Sequence, residues 1–146
     1  MKIKIVKVGK SAAKEIHSLV EVYQKRLRAF CPVELIELKQ FLPSTSKKQN
    51  NVSGTDMLVV LDEKGKIWSS RELAQKIVTW QKDPRIKSVV FLIGDPYGLD
   101  ESVKKQASEI WSLSHATFPT DLAWLLVWEQ IYRAFTILKG TGYHHE

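Results

Sequence analysis

Along most of this 146-residue chain, apolar positions recur with a period of two, then of three to four, then of two again. Such switching predicts strands alternating with helices. Lys2–Val8 alternates lysine with apolar residues and predicts a strand, closed by a turn at Gly9-Lys10-Ser11. Ala12–Phe30 predicts a helix with Ile16, Leu19, Tyr23, Leu27 and Phe30 as its apolar stripe. Lys14, Lys25, Arg26 and Arg28 fall mainly off that stripe, and Pro32 blocks continuation. Val33–Leu38 predicts a second strand. Lys39–Thr55, rich in Ser, Asn and Lys, reads as a basic loop. Met57–Leu61 predicts a third strand, ending in a turn over Asp62–Lys66.

Ser69 and Glu72 have the spacing of a capping box and predict a helix to Gln81, with Leu73, Ile77 and Trp80 buried and Asp83-Pro84 as its stop. Ser88–Ile93 is apolar on both faces, as a strand covered on both sides must be. A short helix over Asp100–Ser108, a fifth strand over Ile110–Ser114 and a last helix follow. Thr120 is the expected cap of that helix, and Gly140 its stop. The predicted fold is α/β: one domain over residues 1–146, with a mostly parallel sheet of five to six strands and helices on both faces. The last helix is apolar nearly all round, from Leu122 to Leu138. One sheet face hides only one stripe of a helix, so a homodimer is expected to cover the rest, with Trp124 and Trp128 enlarging the contact.

Charge adds a partner class. Residues 1–50 carry 11 Lys/Arg against 4 Asp/Glu, and residues 51–146 carry 11 against 12. The whole excess of the +6 chain therefore lies in its first third, which suits a polyanion such as RNA. Cys31 is the single cysteine, so no internal disulfide forms and a reducing, cytoplasmic setting is expected. No Cys/His cluster has zinc spacing, so no metal is expected. No apolar run approaches the ~18 residues of a membrane span, and the start lacks the apolar core of a signal peptide, so no membrane partner is expected.

Two loops carry the candidate chemistry. Gly94-Asp95-Pro96-Tyr97-Gly98 leaves the fourth strand with neither dinucleotide-fingerprint nor P-loop spacing. Leu113–Phe118 leaves the fifth strand and is apolar enough to wall an aromatic ring such as adenine. With Leu61, these loops can build one crevice at the carboxyl ends of the strands. Arg133 on the last helix and the Tyr143-His144-His145-Glu146 tail are expected close by. Arg133 can equally pair with Glu129 one turn earlier.

The run Phe91–Gly94 with Pro96 and Gly98, then Trp111–Ser114, Thr117 and Pro119, then Glu129, Tyr132-Arg133-Ala134, Tyr143-His144 and Glu146 resembles the RlmH family. These are pseudouridine N3-methyltransferases of the large ribosomal subunit RNA, in the SPOUT superfamily. Lys2–Gly9, Val59–Asp62 and Gly65-Lys66 match as well, so the resemblance spans nearly the whole chain. It implies a C-terminal trefoil knot, a homodimer, S-adenosylmethionine as methyl donor, and a pseudouridine of 23S ribosomal RNA as acceptor, with ribosomal RNA or the ribosome as partner. It assigns the cofactor to Leu61, Gly94, Leu113, Ser114, His115, Ala116, Thr117 and Phe118, and catalysis or substrate contact to Tyr132, Arg133, Tyr143 and His144. His144 is a candidate base for the N3 proton, and Arg133 a candidate to stabilise the anion or hold a phosphate. His17 is expected to be merely exposed.

The chain departs from the family pattern at Asp95, where a second glycine is usual, and at His145, where Arg or Lys is usual. It departs again at Thr120-Asp121-Leu122-Ala123-Trp124, where His-Pro-Leu-x-Arg is common. These departures leave two alternatives open: an RNA- or ribosome-binding protein of this fold without catalysis, and a SPOUT enzyme acting on another RNA.

Overall fold

The computed structural model describes residues 1–41, 56–94 and 99–145. Asp95, Pro96, Tyr97, Gly98, Glu146 and most of the expected basic loop lie outside them. Five strands form one sheet: β1 (Lys2–Val8), β2 (Val33–Leu38), β3 (Asp56–Ile67), β4 (Ser88–Ile93) and β5 (Glu109–Ser112), in the order β2-β1-β4-β3-β5. Every pairing is parallel. Four helices connect and cover them: α1 (Lys14–Leu27), α2 (Ser70–Lys82), α3 (Glu101–Gln106) and α4 (Thr120–Lys139).

β4 sits between β1 and β3 and is buried at all six positions. Its Val89, Phe91 and Ile93 face one apolar cluster, which includes Ile3, Ile5, Val59 and the buried faces of α1, α2 and α4. Val90 and Leu92 face a second cluster, with Val6, Val8, Leu58, Val60, Phe41 and Val103 of α3. The helices thus lie on both faces, three of them on one.

α4 packs on the sheet between α1 and α2. This layering corrects the expected role of two tryptophans. Trp124 and Trp128 are fully buried within one subunit, so neither is available to a dimer contact. Three sides of α4 need apolar cover, and its own neighbours supply it. What the fold leaves outward is Leu122 and Leu138, with Leu125, Leu126 and Ile137 partly covered.

The Ser69 capping box is formed: Ser69 Oγ accepts from the Glu72 N–H at 3.1 Å, and Glu72 Oε2 from the Ser69 N–H at 2.6 Å. Gly140 ends α4 in the left-handed region at φ 67°, as a helix-terminal glycine does. Thr120 is not a cap; it is the first residue of α4, Pro119 holds the cap position, and no side chain bonds there. α1 ends at Leu27, short of the expected Phe30, and its core stripe runs Ile16, Val20, Tyr23 and Leu27, because Val20 turns inward and Leu19 is left exposed. β3 continues past its expected turn: its pairing with β5 breaks at Leu61 and resumes at Lys66. Gly65 makes that excursion possible, since a Cβ there would stand 2.6 Å from the Ile110 carbonyl oxygen.

Candidate functional site

A cleft of about 390 Å³ opens at the carboxyl ends of β3, β4 and β5. β3 contributes Leu61 and the Asp62–Lys64 excursion, β4 ends in Ile93-Gly94, and the loop after β5 brings Leu113, Ser114, Ala116, Thr117 and Phe118. Of the eight residues expected to hold a cofactor, all but His115 line this cleft. His115 is exposed on the loop's outer side. Internal hydrogen bonds shape the loop: Ser112 Oγ donates to the Ser114 carbonyl at 2.8 Å, and Ser114 Oγ accepts from the Ala116 N–H at 2.9 Å. Thr117 Oγ1 donates to Glu63 Oε2 at 2.9 Å and ties the loop to the β3 excursion.

The cleft has a polar end that sequence reasoning missed. Lys104 of α3 reaches Asp62 at 2.6 Å and Glu101 at 3.6 Å. Burial works to raise the Asp62 carboxyl, but the Lys104 bond and the Lys64 N–H outweigh it and hold the group below its ordinary range. The Lys104 ammonium is raised in turn, chiefly by Asp62. The partners lie 42 positions apart, a distance no periodicity signals.

The four residues expected to act on substrate form a separate cluster, and none lines the cleft. Arg133 Nε and Nη2 donate to Glu129 Oε1 at 2.9 and 2.6 Å, and Tyr143 Oη donates to the same oxygen at 3.1 Å. Arg133 Nη1 lies 3.1 Å from His144 Nδ1. Arginine only donates, so Nδ1 accepts and the neutral ring carries its proton on Nε2. The guanidinium also covers the Tyr143 ring at 4.8 Å, and Tyr143 meets Tyr132 edge-on at 4.9 Å. Burial first, then Tyr23 and Glu129, push the Tyr143 hydroxyl well above its usual value, so it stays protonated. Glu129 raises Arg133 further. Gln130 Nε2 donates to Glu129 Oε2 at 2.8 Å, and Gln130 Oε1 accepts from Ser70 Oγ at 2.7 Å, anchoring the cluster to α2. Ala123, which lines the cleft, and Arg133 are ten residues apart on α4, about 15 Å at 1.5 Å per residue.

The departures at the start of α4 have structural roles. Asp121 accepts from the Ala13 N–H at 3.1 Å and lies 3.7 Å from the ammonium of Lys7, a buried lysine on β1. That ammonium also donates to the Lys10 carbonyl and stands 5.7 Å from the Trp124 ring centroid. His17, expected to be exposed, is half-buried: its ring meets Trp124 at 5.6 Å and lies between Glu21 and Glu37 at 3.3 and 3.4 Å. Asp121 and Trp124 therefore fasten α4 to β1 and α1. Cys31 is buried, and burial pushes its thiol up to about 11, which leaves little thiolate at neutral pH.

Among the described residues no cluster of side chains could hold a metal ion, and no helix is long and apolar enough to cross a membrane. Residues 1–144 match the family model described as predicted SPOUT methyltransferase. Proteins called ribosomal RNA large subunit methyltransferase H are similar over nearly full length. The one from Francisella philomiragia is 40% identical, with 99% of each chain covered. That from Thermotoga neapolitana is 36% identical, covering 99% of this chain and all of its own. Among solved structures, a probable methyltransferase from Bordetella pertussis superposes with TM-score 0.63 at 10% identity, covering 91% of this chain and 93% of its own. A probable methylase family protein from Haemophilus influenzae gives TM-score 0.63 at 11% identity, covering 99% of this chain and 70% of its own. At such identities these two speak for the fold alone.

Proposed function

The chain belongs to the SPOUT methyltransferase family, and from that premise we propose that it methylates N3 of a pseudouridine in large-subunit ribosomal RNA, using S-adenosylmethionine. It does so as a cytoplasmic homodimer of one-domain subunits, each with a C-terminal trefoil knot. The observation that carries this reading is the convergence of Leu61, Gly94 and the Leu113–Phe118 loop on one cleft.

The lining fits the donor. Leu61, Leu113 and Phe118 offer apolar walls for an adenine, and Gly94 lets the β4 end approach a ligand closely. Asp62 and Lys104 offer one carboxylate and one ammonium, matching the ammonium and carboxylate of an amino-acid end. When bound, S-adenosylmethionine supplies an electrophilic methyl carbon on a sulfonium. What remains for the protein is chiefly positioning, together with removal of the acceptor's N3 proton.

Uracil N3 stands between two carbonyls, so charge left on N3 spreads to their oxygens. Donors facing those oxygens favour loss of the proton. His144 with its proton on Nε2 would be such a donor once the tail exposes that atom, which is buried within the subunit, and the Arg133 contact at Nδ1 favours that form. Serving as a base through Nδ1 would require His144 to leave Arg133. Tyr143, with its raised hydroxyl, holds the tail by donating to Glu129. The gap of about 15 Å along α4 favours a site in which the tail cluster of one subunit serves the cleft of its partner. The exposed Leu122, with the partly covered Leu125 and Leu126, offers the apolar contact between them.

The test is methylation of ribosomes from cells lacking the endogenous enzyme, with the product located by mass spectrometry. The expected product carries one methyl on N3 of a large-subunit pseudouridine. RNA binding without product would favour a non-catalytic role, and a methyl elsewhere another RNA substrate.

A further inference from the structure

We propose that Arg26 is a phosphate contact for the RNA substrate, set beside the Tyr132–Arg133–Tyr143–His144 cluster by stacking on two tyrosines. The inference rests on the RNA-methyltransferase reading above and assigns part of its substrate surface to α1. Arg26 lies in the last turn of α1, with its guanidinium carbon 5.7 Å from the Tyr23 ring centroid and 5.8 Å from that of Tyr132. Tyr23 and Tyr132 are themselves 5.8 Å apart, and Tyr132 meets Tyr143 at 4.9 Å. A ladder of three rings therefore runs from Arg26 at one end to Arg133 at the other.

The two cations differ in what they have left to give. Arg133 spends two donor groups on Glu129 and a third on His144, and the Glu129 carboxylate cancels its charge. Arg26 is exposed and has no carboxylate partner among the described residues. Stacking occupies the face of a guanidinium and leaves its in-plane N–H groups free for a bidentate contact with a phosphate. Lys25 and Arg28, both exposed, stand on either side in sequence and extend the positive field. Part of the positive charge of the first third of the chain thus stands at the end of α1, and Arg26 is the cation there that packs against the rings of the cluster.

The experiment measures binding of the full-length protein to ribosomes lacking the modification, across a salt series, for wild type, Arg26→Gln and Arg26→Lys. Affinity for S-adenosylhomocysteine and the melting temperature are measured in parallel. Arg26→Gln is expected to weaken ribosome binding and to reduce the slope of log K against log salt by about 0.7–0.9, the loss of one phosphate contact. Its S-adenosylhomocysteine affinity and melting temperature stay those of wild type. Arg26→Lys restores the slope without restoring the full affinity, since a lysine cannot make the fork. An Arg26→Gln variant that binds ribosomes with wild-type affinity and slope overturns the proposal while leaving the methyltransferase reading intact. A wild-type protein that binds no ribosomes overturns both.

Discussion

Glu129 decides what Arg133 can do. A free arginine beside a substrate base would be a strong phosphate or anion ligand. Here one carboxylate oxygen takes two of its N–H groups and the Tyr143 hydroxyl as well. Arg133 therefore organises the tail, aligning His144 through Nδ1. The sequence contains the Glu129–Arg133 spacing and so signals the pair; it carries no sign that Tyr143 and His144 fold back onto it. Asp62 and Lys104 pose a comparable case at the cleft. The Asp62 carboxyl lies below its ordinary 3.8 in the folded protein, so the pair adds stability above that value and loses it as pH falls through the folded one. Asp62→Asn should lower stability at pH 7 by no more than about 1 kcal/mol, read as a lowered urea midpoint. The difference should vanish once the solution is more acidic than the carboxyl's folded value. A deficit that persists unchanged there would mean that Asp62 stabilises through something other than its charge.

At the scale of elements, α4 teaches most. Its composition, apolar nearly all round, is the same whether a partner subunit or its own neighbours cover it. The layering decides, with α1 and α2 flanking it and the sheet beneath. Trp128→Ala should cost about 3–5 kcal/mol of stability, as loss of a buried aromatic does, read as a lowered urea midpoint. Leu122→Glu, on the outward side, should leave the fold intact and shift the protein to monomer in sedimentation. A Leu122→Glu variant that remains a stable dimer would remove this stripe from the interface.

Most element identities were legible, because caps, stops and periods are local. Ser69 with Glu72, and Gly140, each mark a boundary where the structure has one, while α1 ends at Leu27, short of the Phe30 expected before Pro32. What was illegible depended on tertiary direction. Leu19 and Val20 both fit a helical stripe with Ile16 and Tyr23, and only the docking of α1 selects Val20. His17 is drawn inward by Trp124, a residue more than a hundred positions away. Most of the loop that lines the cleft was named through the family resemblance, and strand order brings it beside the ends of β3 and β4.

For the whole molecule, the parallel sheet sets the cleft at one end of β3, β4 and β5, while Arg133 of the tail cluster follows the cleft's Ala123 by ten residues of α4, about 15 Å of helix. On the reading proposed above, in which the cleft holds the methyl donor and the tail cluster meets the acceptor, a second copy closes that distance. That claim is tested most directly by mixing two inactive homodimers. One carries a cleft variant, Gly94→Trp, and the other a tail variant, Arg133→Ala with His144→Ala. If each site takes its cleft from one subunit and its tail cluster from the partner, the mixed dimer has one intact site, and methyl transfer to ribosomes reappears on mixing at up to half the wild-type rate per dimer. If cleft and tail of the same subunit work together, every site in the mixture is damaged. Silence of a demonstrated heterodimer would contradict the account.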